Sequence, residues 1–265
     1  MAGKLYLCAT PIGNLEDITY RVVRTLNEVD LIGAEDTRNS IKLLNHFDIK
    51  TPMTSYHEFN KYDKAKQLVE MMKEGKNIAI ITDAGTPGIS DPGEEVVRQC
   101  FEVTSLPGPA ACITALTMSG QKTRRFCFEA FLPKDKKEKV AVLEELKNET
   151  RTIIIYEAPH RLARTLKELR ETLGNRQLTL CRELTKKYEE ADKTTIDQAI
   201  EKYNEKEPRG EYVLVIEGKS QEEIQEENKQ KWKSMTIEEH MEYYISQGND
   251  KKSAMKLVAK DRGVS

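Results

Sequence analysis

Short apolar runs alternate along the chain with stretches whose apolar residues recur every three or four positions. KLYLCAT (4–10), DLIGAE (30–35) and NIAIIT (77–82) are aliphatic or β-branched and stop at turn residues, which predicts strands. Between them, ITYRVVRTLNEV (18–29), DTRNSIKLLNHF (36–47) and NKYDKAKQLVEMMKEG (60–75) have the spacing of amphipathic helices, the last closing on Gly75. Strands alternating with helices predict βαβ units and a largely parallel sheet. The pattern resumes near residue 124. RFCFEAFL (125–132), RTIIIYEA (151–158), QLTLCREL (177–184) and EYVLVIEG (211–218) read as strands, and KKEKVAVLEELKNE (136–149) and APHRLARTLKELRETLG (158–174) as helices.

A boundary near SGQKT (119–123) therefore divides the chain into an N-terminal α/β domain, 1–120, and a second α/β domain, 121–218. Residues 219–265 form a tail: a highly charged connector, SQEEIQEENKQKWKS, then a helix, a Gly-Asn turn and a helix. One junction is unusually tight. EEVVRQCFEVTSLPG passes from helical to strand-like character with no turn residue between Cys100 and Phe101, whereas EGKN fills the matching place before 77–82. This predicts that several residues are absent there.

Composition narrows the class. With 32% charged and 38% hydrophobic residues, the 265-residue chain reads as a soluble globular protein with a polar surface. Its net charge of −2 argues against a general polyanion binder, although a local basic patch can still meet nucleic acid. Five scattered cysteines without a CxxC read as reduced thiols. None of the four histidines pairs with a cysteine at ligand spacing, so no metal site is predicted. MAGKLYLCAT is broken too early by Pro11 to be a signal peptide, and no apolar run is long enough for a membrane span. A cytoplasmic location is expected.

The candidate chemistry lies in four loops. TPIGNLED (10–17), TDAGTPGISDPG (82–93), LPGPAA (106–111) and YEAPHR (156–161) each follow a predicted strand and are rich in glycine or proline. Ligands of open α/β sheets bind beyond the carboxyl ends of strands, where glycine admits close approach of backbone. Three such loops in the first domain and one in the second predict a cleft between the domains. There is no GxxxxGK[ST], no GxGxxG after the first strand and no GxSxG, which argues against a P-loop, an ordinary dinucleotide fold and a nucleophile elbow.

ATPIGNLEDITYR, GAEDTRNSIKLL, TDAGTPGISDPG, SLPGPAACITAL, YEAPHRL, RELTKKYEE and PRGEYVLVIEG occur in this order over nearly the whole chain. Together they resemble the tetrapyrrole-methylase-type, or class III, S-adenosylmethionine-dependent methyltransferases. Within that superfamily they are similar to the group that methylates the ribose 2′-oxygen of a cytidine in 16S rRNA of the small ribosomal subunit. The resemblance implies two α/β domains with S-adenosylmethionine in the cleft between them, a short helical C-terminal tail, and a homodimer. Pro11 and Gly13 would form the floor of the cofactor site, with Asp83, Ala84, Gly85 and Ser90 along one loop. Pro107, Gly108 and Ala111 would form a second wall, and Tyr156 and Glu157 would close the site from the other domain. A base for the hydroxyl is expected among Asp83, Glu35, Asp36 and Glu157. Arg38, His160, Arg161 and Lys186 are candidate contacts to RNA phosphate or sugar. Two other readings remain open: the same fold acting on a tetrapyrrole or other small acceptor, and a non-catalytic RNA-binding or assembly factor.

Overall fold

The computed structural model describes residues 2–100 and 102–264. Its first sheet contains β1 (Leu5–Cys8), β2 (Leu31–Ala34), β3 (Met53–Ser55), β4 (Ile78–Ile81) and β5 (Val103–Leu106), all parallel, in the order β3-β2-β4-β1-β5. Strand β4 is buried at every residue, as expected of a central parallel strand covered on both faces. Its side chains alternate between two cores. Ala79 and Ile81 meet Val22 and Leu26 of α1 (Tyr20–Glu28) and Leu44 of α2 (Thr37–His46). Ile78 and Ile80 meet Leu68 and Met72 of α3 (Lys61–Lys73) and Val96 of α4 (Gly93–Gln99).

The second sheet is mixed, in the order β6-β7-β10-β8-β9. Strands β6 (Phe126–Phe131) and β7 (Thr152–Glu157) are parallel. Strands β8 (Gln177–Arg182), β9 (Glu190–Thr195) and β10 (Tyr212–Ile216) complete it by antiparallel pairings. One face packs on α6 (Lys136–Leu146), α7 (Pro159–Leu173) and α8 (Ile196–Glu205). The other face receives α5 (Ala111–Ser119), whose Cys112, Ala115 and Leu116 pack on Ile154, Cys181 and Val213. Thus α5 directly follows the first sheet in sequence but is buried against the second. The division expected near 119–123 falls after this helix.

Two sequence expectations differ from the structure. The stretch read as a charged connector is helix α9 (Gln221–Ser234), started by a capping box in which Ser220 and Glu223 satisfy each other's backbone N–H groups. Trp232 on this helix stacks on the buried His240 of α10 (Ile237–Ser246) at 3.9 Å, and α11 (Lys251–Arg262) closes the group. Moreover, β9 and α8 were not anticipated: EADKTT has no apolar alternation, and it is a strand because its backbone pairs with β8 from Glu190↔Arg182 to Thr195↔Gln177. The tight junction at Cys100 and Phe101 includes a residue outside those described. On its two sides α4 ends at Gln99 and β5 begins at Val103. Among the described residues, no helix is long and apolar enough to cross a membrane.

Candidate active site

The carboxyl ends of β1, β2 and β4 lie at one edge of the first sheet, beside the point where the chain order reverses, the usual ligand position of such sheets. The loop after β4 is held on three sides. Gly85 exchanges two backbone hydrogen bonds with Thr10, at 2.9 and 3.0 Å. Asp91 accepts from the N–H groups of Gly88 and Gly93, which folds the end of the loop on itself. The buried Tyr56 hydroxyl donates to the Pro92 carbonyl at 2.7 Å and accepts from Val96 N–H at 3.2 Å. Thr86 Oγ1 donates to the Pro109 carbonyl at 2.8 Å, joining this loop to the one after β5.

A cavity of about 350 Å³ opens between this edge and the second sheet. The first sheet contributes Glu35 and the loop from Thr82 to Asp91, and the second contributes Phe131, Tyr156, the Glu183–Leu184 turn and the start of β10. Tyr156 fixes the start of α5 on the second sheet: its hydroxyl accepts the N–H of Cys112 in the first turn of α5 at 2.9 Å. Burial pushes the phenol well above its ordinary range, so it stays protonated. A register shift between Phe128 and Phe131, with Ala130 at φ 51°, re-aims the end of β6 and sets the Phe131 ring 5.6 Å from Tyr156.

The lining is strongly acidic, with Glu35, Asp83, Asp91, Glu183 and Glu211 against Lys186. Glu35 is half-buried at the end of β2, and its pKa is raised. Burial is the main cause, and the charges of Asp83, Asp91 and Asp36 add to it. The exposed Asp83 carboxylate accepts from Asp36 N–H and from the Asn39 amide, both at 3.3 Å. Asp36 is an N-cap instead. It accepts from Arg38 N–H at 2.8 Å and pairs with the Arg38 guanidinium, which holds its pKa down at about 2.

Of the residues marked out by sequence, Glu35, Asp83, Ala84, Gly85, Ser90, Ala111, Tyr156 and Lys186 come together around this cavity. Pro11 and Gly13 line an adjoining recess that shares Thr82 and Asp83 with it. Pro107 is exposed and outside the cavity, and Gly108 borders a different recess, where a Cβ would strike Ala9 Cβ at 2.5 Å. Arg38 and Asp36 stand on the far side of Glu35 beside His57.

The second-sheet candidates in YEAPHR turn away. Glu157 is fully buried, accepting from Ala158 N–H at 2.9 Å and from Thr165 Oγ1 at 2.5 Å, with Arg161 Nε 3.4 Å away. Its carboxylate ties β7 to α7 and does not face the cavity. Arg161 also donates to the Leu132 carbonyl, and His160 is exposed on the first turn of α7. Sequence reasoning did not single out Ile12, Thr86, Phe131, Glu183, Glu211 or Tyr212. Glu183 and Glu211 do lie within the RELTKK and PRGEY stretches, but the φ of 50° that turns Glu183 at the cavity edge has no sequence signal.

The lining fits S-adenosylmethionine. The volume is in the range of small-molecule sites, apolar walls come from Ile12, Ile89, Leu184 and Val213, and excess carboxylate suits a ligand carrying sulfonium and ammonium charges. Among the described residues, no group of His, Cys, Asp and Glu is arranged to hold a metal ion.

The family model for Tetrapyrrole (Corrin/Porphyrin) Methylases matches residues 4–200. The chain is 50% identical over 266 residues to the ribosomal RNA small subunit methyltransferase I of Bacillus subtilis (strain 168), covering 99% of this chain and 91% of that protein. It is 45% identical over 229 residues to the protein of the same name from Escherichia coli O157:H7, covering 83% and 80%. Among solved structures, a diphthine synthase superposes with a TM-score of 0.63 at 10% identity, covering 81% of this chain and 90% of that one. Uroporphyrin-III C-methyltransferase from Thermus thermophilus, complexed with S-adenosylhomocysteine, gives 0.57 at 17% identity, covering 81% and 97%. At these identities the two structures share the fold.

Proposed function

The chain belongs to the tetrapyrrole methylase family and is an S-adenosylmethionine-dependent methyltransferase; we propose that its acceptor is the ribose 2′-oxygen of a cytidine in 16S rRNA of the small ribosomal subunit. The observation that carries this reading is the end-to-end likeness to the Bacillus protein, which includes the helical tail beyond the matched family region.

When bound, the cofactor supplies a methyl group on a sulfonium, ready for in-line displacement. The protein's task is then alignment and proton removal. Holding donor and acceptor in register contributes much of the rate of such a transfer. The acidic cavity favours the positively charged cofactor over its neutral-sulfur product, which assists release after transfer. Glu35 is the base we assign to the 2′-hydroxyl: it lines the cavity, and its raised pKa makes it a better proton acceptor than an ordinary carboxylate. Asp83 contributes charge that helps to keep Glu35 basic.

Tyr156 holds the first turn of α5 against the second sheet, so Tyr156→Phe is expected to weaken cofactor binding about fivefold, from one hydrogen bond of about 1 kcal/mol. Calorimetric titration with S-adenosylmethionine checks this, and an unchanged dissociation constant would mean the hydroxyl has no part in shaping the cavity. The acceptor is tested by transfer of labelled methyl to small subunits from a strain lacking the gene, with the modified nucleotide mapped. Label in a ribose 2′-oxygen of a 16S cytidine is expected. Label in a base, or none in RNA, refutes the proposed acceptor.

A further inference from the structure

The catalytic cavity is a poor place for RNA phosphates, because its own lining is acidic. The strand must therefore be held in a recess beside it, and the recess that shares Thr82 and Asp83 with the cavity carries a single lysine, Lys42. Another recess shares Glu35 with the cavity and carries Asp36 and Glu58, while its Arg38 is already paired with Asp36. A larger groove of about 630 Å³ shares Glu183 and Tyr212 with the cavity. Its mouth has Lys206 and Arg209 on one side and Tyr188 on the other.

Among the described residues, Lys206, Arg209 and the neighbouring Lys187 take part in no salt bridge, whereas Arg182 inside the groove is paired with Glu190 and Glu183 with Lys186. Among the groove's own lining the unpaired charges are thus Lys206, Arg209 and Glu207, and Lys187 adds a further cation beside Tyr188. Tyr188 is 70% exposed, with Lys187 Nζ 5.5 Å from its ring centroid, and its outer face is open to solvent. Each wall carries an internal hydrogen bond to its backbone. The turn carrying Tyr188 is closed by Thr185 N–H on Glu189 Oε2 at 2.6 Å, and Arg209 N–H donates to the Tyr212 hydroxyl at 3.3 Å.

We infer that this groove, between the Lys187–Tyr188 turn and the Lys206–Arg209 segment, binds the single-stranded ribonucleotides flanking the target cytidine. Unpaired cations beside an open aromatic face are the chemistry that holds single-stranded nucleic acid: phosphates meet the ammonium and guanidinium groups, and a base stacks on the ring. Glu183 and Tyr212 stand at the shared border, so a strand in the groove delivers its next ribose to the cavity. The assignment rests on the reading of the protein as a ribosomal RNA methyltransferase.

Two variants of exposed residues test it, Tyr188→Ala and Lys206→Glu combined with Arg209→Glu. Binding to purified, unmodified small subunits is measured by sedimentation across a salt series, alongside cofactor titration, methyl transfer and the mass of the free protein. Each variant is expected to bind subunits at least tenfold more weakly and to raise KM similarly, with cofactor affinity and saturated kcat within twofold of wild type. The double variant should also flatten the salt dependence by about 1.4 in log–log slope, at roughly 0.7 for each lost phosphate contact. If wild type binds and methylates subunits while both variants match it within twofold, the groove is overturned and the acceptor reading stands. If the variants turn a dimer into a monomer with RNA binding intact, the face is a subunit interface and the inference falls. If wild type binds subunits in the same groove-dependent way without methylating them, the acceptor reading fails and the groove holds. If wild type binds no subunits, both fail.

Discussion

Glu35→Gln is expected to slow single-turnover methyl transfer by about 10²–10⁴-fold, the usual contribution of a positioned base, with cofactor affinity changed only a few-fold. The side chain keeps nearly the same shape, so what is lost is the ability to accept the hydroxyl proton. The pH profile separates this role from a structural one. Burial and the charges of Asp83, Asp91 and Asp36 raise the pKa of Glu35, and a base works only when ionised. Wild-type transfer should therefore fall as pH drops through that raised value, and the glutamine variant should lack this acid limb. Stability moves the other way. A carboxyl whose folded pKa is raised contributes stability present below its unfolded value and lost as pH rises through the folded one. At neutral pH the variant is thus expected to melt no lower than wild type. A variant that kept full single-turnover rate, or that lost rate only because it melted, would remove Glu35 as the base.

Gly85→Val is expected to abolish cofactor binding, with affinity reduced more than about 100-fold, a loss beyond about 2.7 kcal/mol. Gly85 has φ 88°, a conformation that costs a residue with a side chain roughly 1–2 kcal/mol. A Cβ there would meet Ile12 Cγ2 at 3.4 Å and the Pro109 carbonyl at 3.5 Å, which leaves room for one methyl group but not for a branch. Gly85→Ala is the graded control. It should retain binding while lowering the melting temperature by roughly 2–8 °C, from the backbone term alone. Both quantities are read by calorimetric titration and thermal melts. If the valine variant bound S-adenosylmethionine within threefold of wild type, the cavity beside Gly85 would not be the cofactor seat.

The two variants also mark how far the sequence could be read. Gly85 was visible because TDAGTPGISDPG follows a run as apolar as NIAII and is one of four glycine- or proline-rich loops at strand ends, a grouping that plain turn chemistry does not require. Glu35 was visible only as one of four carboxylates. Asp83, Asp36 and Glu157 sit in motifs of the same kind, and what separates them is three-dimensional. Asp36 turned to cap α2 and hold Arg38, while Glu157 turned inward to Ala158 and Thr165. Arg161 followed Glu157, so a residue that looked free for RNA is engaged between β7 and the Leu132 carbonyl.

By itself the sequence determined the alternation of strands and helices, the parallel first sheet and the position of glycine- and proline-rich loops at strand ends. These follow from local chemistry: side-chain periodicity sets which face is buried, and glycine and proline set where regular structure stops. Only the tertiary structure decided that EADKTT is a strand, since its partner β8 supplies the pairing that its own composition lacks. It alone decided that α5 is buried on the second sheet, which brings the Tyr156 hydroxyl to the N–H of Cys112 and helps build the cavity across the seam. The same holds for the acidity of Glu35 and for the groove beside Tyr188. Both arise from groups far apart in sequence, and the energy of a charge depends on its neighbours in space rather than along the chain.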